Sequence, residues 1–180
     1  MFGHIPDCEL LMLVCDIGVT TILFQLFKET NKSLSFLSTL FRITSIIVLS
    51  ITALTHYAAL SFLDGPAFLD VFSRDQLNAN ALLSIKLHGV GYNISLVFFG
   101  FHLLILSYLL FISDMFPKFI GILIAIGGFC YILNSFIWFL FPNVVPIIYP
   151  AILIPCAIGE WIFCFWLMIK GTKKTTQFKT

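Results

Sequence analysis

This sequence predicts an all-α fold, an integral membrane bundle of about five transmembrane helices, on two observations. The first is composition: of 180 residues, 59% are hydrophobic and only 11% are charged, where a soluble domain carries about 25% charged residues. With so few charges to solvate a surface, the surrounding medium must be lipid, and 21 phenylalanines suit helix faces turned toward acyl chains. The second is run length. A spanning helix needs about 20 mostly apolar residues, because each rises about 1.5 Å through about 30 Å of hydrocarbon. Five runs qualify, all within a single membrane domain covering residues 1–180.

Span one is Leu10 to Phe27, closed by Lys28-Glu29-Thr30-Asn31-Lys32. Ahead of it, Met1 to Glu9 carries Asp7 and Glu9 but no Lys or Arg. That is unlike a signal peptide, so span one is expected to stay in the mature protein. Span two runs from Phe36 to Leu63 and stops at Asp64-Gly65-Pro66. The segment from Asp64 to Asn80 is partly amphipathic, and Ser73 with Gln76 forms a capping-box pattern. A short interfacial helix starting near Ser73 therefore stands between spans two and three, and span three, Leu82 to Ile112, continues from it. Span four starts at Pro117, a favourable first-turn residue, and reaches Phe141. After a tight turn at Pro142–Pro146, span five covers Ile147 to Ile169, where Pro150 and Pro155 should kink or loosen the helix.

Lys and Arg mark the cytoplasmic side of a membrane protein. Lys28, Lys32, Lys118, Lys170, Lys173, Lys174 and Lys179 fall on one side, against Arg74 and Lys86 on the other. The expected placement is a bacterial inner membrane, N-terminus out and C-terminus in. A net charge of +1 without a basic stripe gives no footprint for nucleic acid. The five cysteines form no CxxC pair and read as small apolar packing residues.

Charged groups inside hydrocarbon cost about 2.5–3.5 kcal/mol each on insertion scales, so those that persist face the bundle interior and mark candidate sites. Asp16, Arg42, His102 and Glu160 lie deep in apolar runs, His56, Lys86 and His88 lie nearer helix ends, and Asn93 and Asn134 add neutral hydrogen-bonding groups. Counted from the inner ends, Arg42 sits roughly 9 Å deep, His102 roughly 15 Å and Glu160 roughly 14 Å. The preferred contact is therefore an Arg42–Glu160 pair beside His102. Asp16, His56 and His88 are expected to form a second, outer layer, joined by Lys86. The polar-core and ligand-binding candidates are Asp16, Arg42, His88, His102, Asn134 and Glu160.

No metal ligands are predicted, and there is no HExxH, P-loop, GxSxG or DxxxD motif. His88 and His102, fourteen residues apart, share one helix face about 21 Å apart. One bis-histidine haem through His56 and His88 is geometrically conceivable, yet no cofactor is predicted. Gly121, Ala125, Gly127 and Gly128 have helix-packing spacing, read as internal packing with homo-oligomerisation as the alternative.

Several stretches in order resemble a bacterial membrane family known as domain of unknown function 4386. They are Cys15-Asp16, Phe41-Arg42, Phe72-Ser73 with Gln76-Leu77, Leu87-His88-Gly89, and Leu96 through His102 to Leu104. Phe116-Pro117 with Ile120-Gly121, then Gly159-Glu160 through Trp166-Leu167 to Lys170-Gly171, complete the match. The resemblance implies a multi-helix membrane fold and brings no established activity. It also implies another hydrophobic span ahead of Cys15-Asp16, which this chain is expected to lack, and an acid two residues before His88, where this chain has Lys86.

Three functions stay open: a protein that binds or moves a small or lipid-like molecule through a polar interior, a membrane enzyme using His88 or His102 with an intramembrane carboxylate, and a structural or assembly subunit. The lipid bilayer is the one partner the composition requires; a small-molecule ligand and a second copy of the chain are the others considered.

Overall fold

The computed structural model describes residues 5–64 and 67–170. Gly65, Pro66, Gly171 and the lysines Lys173, Lys174 and Lys179 lie outside the described residues. The helices are α1 (Ile5–Phe27), α2 (Lys32–Asp64), α3 (Arg74–Ile112), α4 (Lys118–Leu140), the one-turn α5 (Val145–Ile148) and α6 (Ile154–Lys170). Among the described residues there is no strand, and five helices are long and apolar enough to cross a membrane. This is the build of a multi-pass membrane protein.

Local chemistry explains where the helices begin and end. Asn31 caps α2, its side-chain oxygen accepting from the Leu34 N–H at 3.0 Å. Ser73 caps α3 with the full reciprocal box: the Gln76 N–H donates to Ser73 Oγ, and the Ser73 N–H donates to Gln76 Oε1 at 2.9 Å. From that cap α3 runs without a break for 39 residues, about 58 Å at helical rise. The segment near Ser73 is thus the first part of the third span, preceded by a one-turn 3-10 helix at Ala67–Leu69. Lys118 turns back across the α3–α4 loop and donates to the Phe111 carbonyl at the α3 C-terminus, where a cation is favoured.

The fifth span differs from a single run over 147–169. Pro150 has no N–H to donate and keeps the residue before it out of the helical region, and Tyr149 is accordingly extended (φ −78°, ψ 136°). The chain breaks there, makes a 3-10 turn at Ala151–Leu153 and resumes as α6. Pro155 causes no second break, because it sits in the first turn of α6, where its missing N–H is not needed.

The helices pack mainly on their sequence neighbours: α2 on α3 most extensively, then α3 on α4, α4 on α6 and α1 on α2. Two kinds of contact hold them. At one end of the bundle an apolar cluster gathers Phe27 of α1, Leu106 and Leu110 of α3, Phe116, Ile120 of α4 and Phe163 of α6. Elsewhere small residues bring backbones together. A Cβ on Gly128 would stand 2.9 Å from the Gly100 carbonyl oxygen, and one on Gly100 would stand 2.8 Å from the Gly128 carbonyl oxygen. Gly127 faces Cys156, whose thiol donates to the Gly127 carbonyl at 3.3 Å. Gly127 and Gly128 therefore pack inside the bundle, while Gly121 approaches the Ser107 carbonyl of α3.

Candidate functional site

The interior faces of α1, α2 and α3 follow a spacing of three and four residues, which keeps side chains on one helix face. On α2 the series is Ser35, Ser38, Arg42, Ser45, Leu49, Thr52, His56 and Ala59; on α3 it is His88, Tyr92, Ser95, Phe99, His102 and Leu106. On α1 it holds Glu9, Asp16, Thr20, Leu23 and Phe27. Small and hydroxylic residues dominate the α2 series, so α2 and α3 approach closely and the long polar side chains among them are forced into shared space.

Arg42 pairs with Asp16, its Nη2 lying 2.6 Å from Asp16 Oδ1. The expected Arg42–Glu160 pair is not formed; Glu160 instead lines the same cavity as that ion pair. The reason lies in the helix ends. With α1 ending at Phe27 and α2 starting at Lys32, Asp16 and Arg42 stand eleven and ten residues from them, about 16 and 15 Å deep. Glu160 stands ten residues before Lys170, about 15 Å deep. Asp16 therefore belongs to the deep layer and not with His56 and His88. Arg42 also lies over the Phe99 ring, Cζ 4.4 Å from its centroid, a cation–π contact that favours the guanidinium in an apolar setting. Its Nε is buried with no hydrogen-bond partner among the described residues.

Around these groups is a cavity of about 210 Å³. Asp16, Arg42, Tyr92, Tyr131 and Glu160 supply its polar lining, and Met12, Ile46, Leu96 and Phe99 supply apolar walls. Five of the helices contribute to it, and Glu160 Oε1 is buried there with no hydrogen-bond partner among the described residues. A buried acceptor left without a donor is costly in a low-dielectric interior. The cavity thus offers an anchored cation, a carboxylate with one oxygen left without a donor among the described residues, two phenols and an apolar wall.

His102 packs behind Phe99 and does not line this cavity. It is only 2% exposed, and its Nδ1 lies 2.9 Å from Ser38 Oγ and 3.0 Å from the Ser38 carbonyl. Ser38 Oγ also donates to the His102 carbonyl at 3.3 Å. This clasp joins α2 to α3 and holds the ring; the carboxylate expected beside His102 is not among its hydrogen-bond partners. Asn134 bridges α4 to α3, donating to Asn93 Oδ1 at 3.3 Å, while the Asn93 amide donates to the Gly89 carbonyl at 2.9 Å.

His88 meets a group that the sequence reading leaves in the tail ahead of span one. Because α1 begins at Ile5, Glu9 is a helical residue, seven positions before Asp16 on the same face. His56 Nδ1 lies 2.9 Å from Glu9 Oε2, and His88 Nε2 lies 3.8 Å from Glu9 Oε1. The two imidazoles stack with centroids 3.6 Å apart and planes 15° apart. One donor atom from each of the three residues lies within 4.8 Å of the others, so this set could hold a metal ion. The seven-residue step from Glu9 to Asp16 was the signal available for it. Lys86 is exposed and takes no part.

Among known proteins, the family model described as Domain of unknown function (DUF4386) matches residues 7–171. An "Uncharacterized protein" of the archaeon Archaeoglobus fulgidus is 30% identical over 170 residues, covering 94% of this chain and 85% of that protein. No solved structure matches.

Proposed function

The chain belongs to the family described as Domain of unknown function (DUF4386), and on that premise we propose that it binds a small or lipid-like molecule in its polar interior. The observation that carries this reading is Glu160 Oε1, buried without a donor among the described residues in a cavity of about 210 Å³. The cavity is below the 300–1,000 Å³ of common ligand pockets. It suits a compact molecule, or the head group of an amphipathic one whose tail lies along the helices. The head group supplies a hydrogen-bond donor, an amine or a hydroxyl, to Glu160. The Asp16–Arg42 pair presents a fixed dipole beside it, and Met12 and Phe99 take the apolar part. The Lys/Arg bias supports a placement with Lys28, Lys32 and Lys118 on the cytoplasmic side and the α1 N-terminus opposite.

The test is thermal unfolding of the purified protein in detergent against a panel of amino and hydroxyl amphiphiles. A binder present at 100 times its Kd stabilises by about 2.7 kcal/mol. That gain should disappear in Glu160→Gln while the ligand-free melting temperature stays close to wild type. If every compound stabilises wild type and Glu160→Gln equally, the reading is wrong.

A further inference from the structure

We propose that Glu9, His56 and His88 form a binding site for a divalent transition-metal ion of the zinc class. Three helices each contribute one donor, and the pattern of two imidazoles with one carboxylate suits a borderline-soft cation. Zinc takes nitrogen and carboxylate ligands at about 2.0–2.2 Å, which sets donor atoms about 3.4 Å apart around a tetrahedral ion. The separations present, 2.9 Å from His56 Nδ1 and 3.8 Å from His88 Nε2 to the two Glu9 oxygens, bracket that value.

The lone pair of an imidazole nitrogen lies in the ring plane. Two rings stacked 3.6 Å apart therefore cannot aim both nitrogens at one point until they fan open. The space for that movement exists, because the side chains of His56 and His88 keep 26% and 17% of their surface exposed. Partial exposure also leaves a fourth position for water or an exogenous ligand, as in three-ligand zinc sites. The alternative is that Glu9–His56 is only a hydrogen bond tying α1 to α2, as interhelical polar contacts do. A bare tie of that kind gives no reason for a second imidazole to stack against the first. The metal site stands apart from the Glu160 cavity and does not depend on it.

The experiment is zinc titration of the purified, chelator-stripped chain in detergent, with bound metal counted after gel filtration. Cys8 and Cys15 are exposed thiols on the same helix, so the titration is done on a Cys8→Ser, Cys15→Ser background. One zinc per chain is expected there, with binding at least tenfold weaker in each of Glu9→Gln, His56→Ala and His88→Ala. Glu160→Gln should bind zinc as the parent does, which separates failure of this site from failure of the cavity. Unchanged affinity in His88→Ala, or loss of all binding in the Cys8→Ser, Cys15→Ser background, overturns the proposal. Where a variant does not fold, cobalt(II) titrated into the parent decides: an intense four-coordinate visible spectrum supports the site, and the pale spectrum of the hydrated ion overturns it.

Discussion

Arg42 and Asp16, 26 residues apart in sequence, meet at 2.6 Å in the interior and tie α1 to α2 at the depth of Glu160. Both side chains are mostly withdrawn from the surroundings, 11% and 26% exposed. Removing one partner strands a charge, whereas removing both does not.

Asp16→Leu or Arg42→Met alone should therefore destabilise by about 2–4 kcal/mol, toward the range for broken buried pairs. The double variant should lose clearly less than the sum. Unfolding by denaturant in detergent, read as a double-mutant cycle, measures the coupling; additive losses would show that the two residues do not act as a pair.

The clasp between His102 and Ser38 predicts a structural phenotype. Ser38→Ala should cost about 1 kcal/mol, within the span of interhelical hydrogen bonds in membranes. His102→Leu should cost more, because Ser38 then loses a partner and the packing against Phe99 changes. Neither should alter ligand stabilisation through Glu160. A His102→Leu protein of full stability that lost ligand binding would move His102 from the clasp into the binding site.

At the α3–α4 crossing, Gly128→Val should lower the melting temperature sharply. Even its first carbon would stand 2.9 Å from the Gly100 oxygen and 3.0 Å from Leu103 Cβ, and overpacking of this kind costs about 1–3 kcal/mol. Gly18, with nothing within 4 Å of such a carbon, is the control. Gly18→Val should fold as well as the parent, and equal damage at both positions would count against a close crossing.

Ser73→Ala removes one half of the α3 capping box and should cost about 1 kcal/mol, with faster amide exchange confined to the first turn of α3. Ser73→Thr or Ser73→Asp should restore most of it. Uniform loss of protection along all of α3 would mean that the cap governs more than the helix start.

Apolar run length alone placed the spans, because lipid demands continuous hydrocarbon over a fixed thickness. The Ser73–Gln76 box was legible because it acts on its own neighbours, whereas of the two prolines expected to kink the fifth span only Pro150 disturbs it. The site was less legible, for two reasons. Depth depends on where helices end, and hydropathy trims polar ends that are still helical. Starting α1 at Leu10 instead of Ile5 leaves Glu9 in a tail, and starting α2 at Phe36 instead of Lys32 makes Arg42 about 6 Å too shallow to meet Asp16. The second reason is rotation about the helix axis. Ser38, Ser45 and Thr52 mark the buried face of α2 at positions that hydropathy treats as weakly polar noise, yet they decide that Arg42 and His56 point inward. Rotation of α3 likewise turns His102 toward Ser38, which residue counting along the axis cannot register.

The Ser/Thr seam of α2 also bears on how the chain enters its bilayer. Of the five spans α2 is the least apolar, and on its own it would present Arg42, His56 and a row of hydroxyls to acyl chains. Arg42 finds its carboxylate and Ser35 its carbonyl on α1, synthesised just before, but Ser38 and Ser45 are covered only when α3 arrives. Partitioning of α2 should therefore wait for its successor. The two would leave the insertion machinery as a helical hairpin.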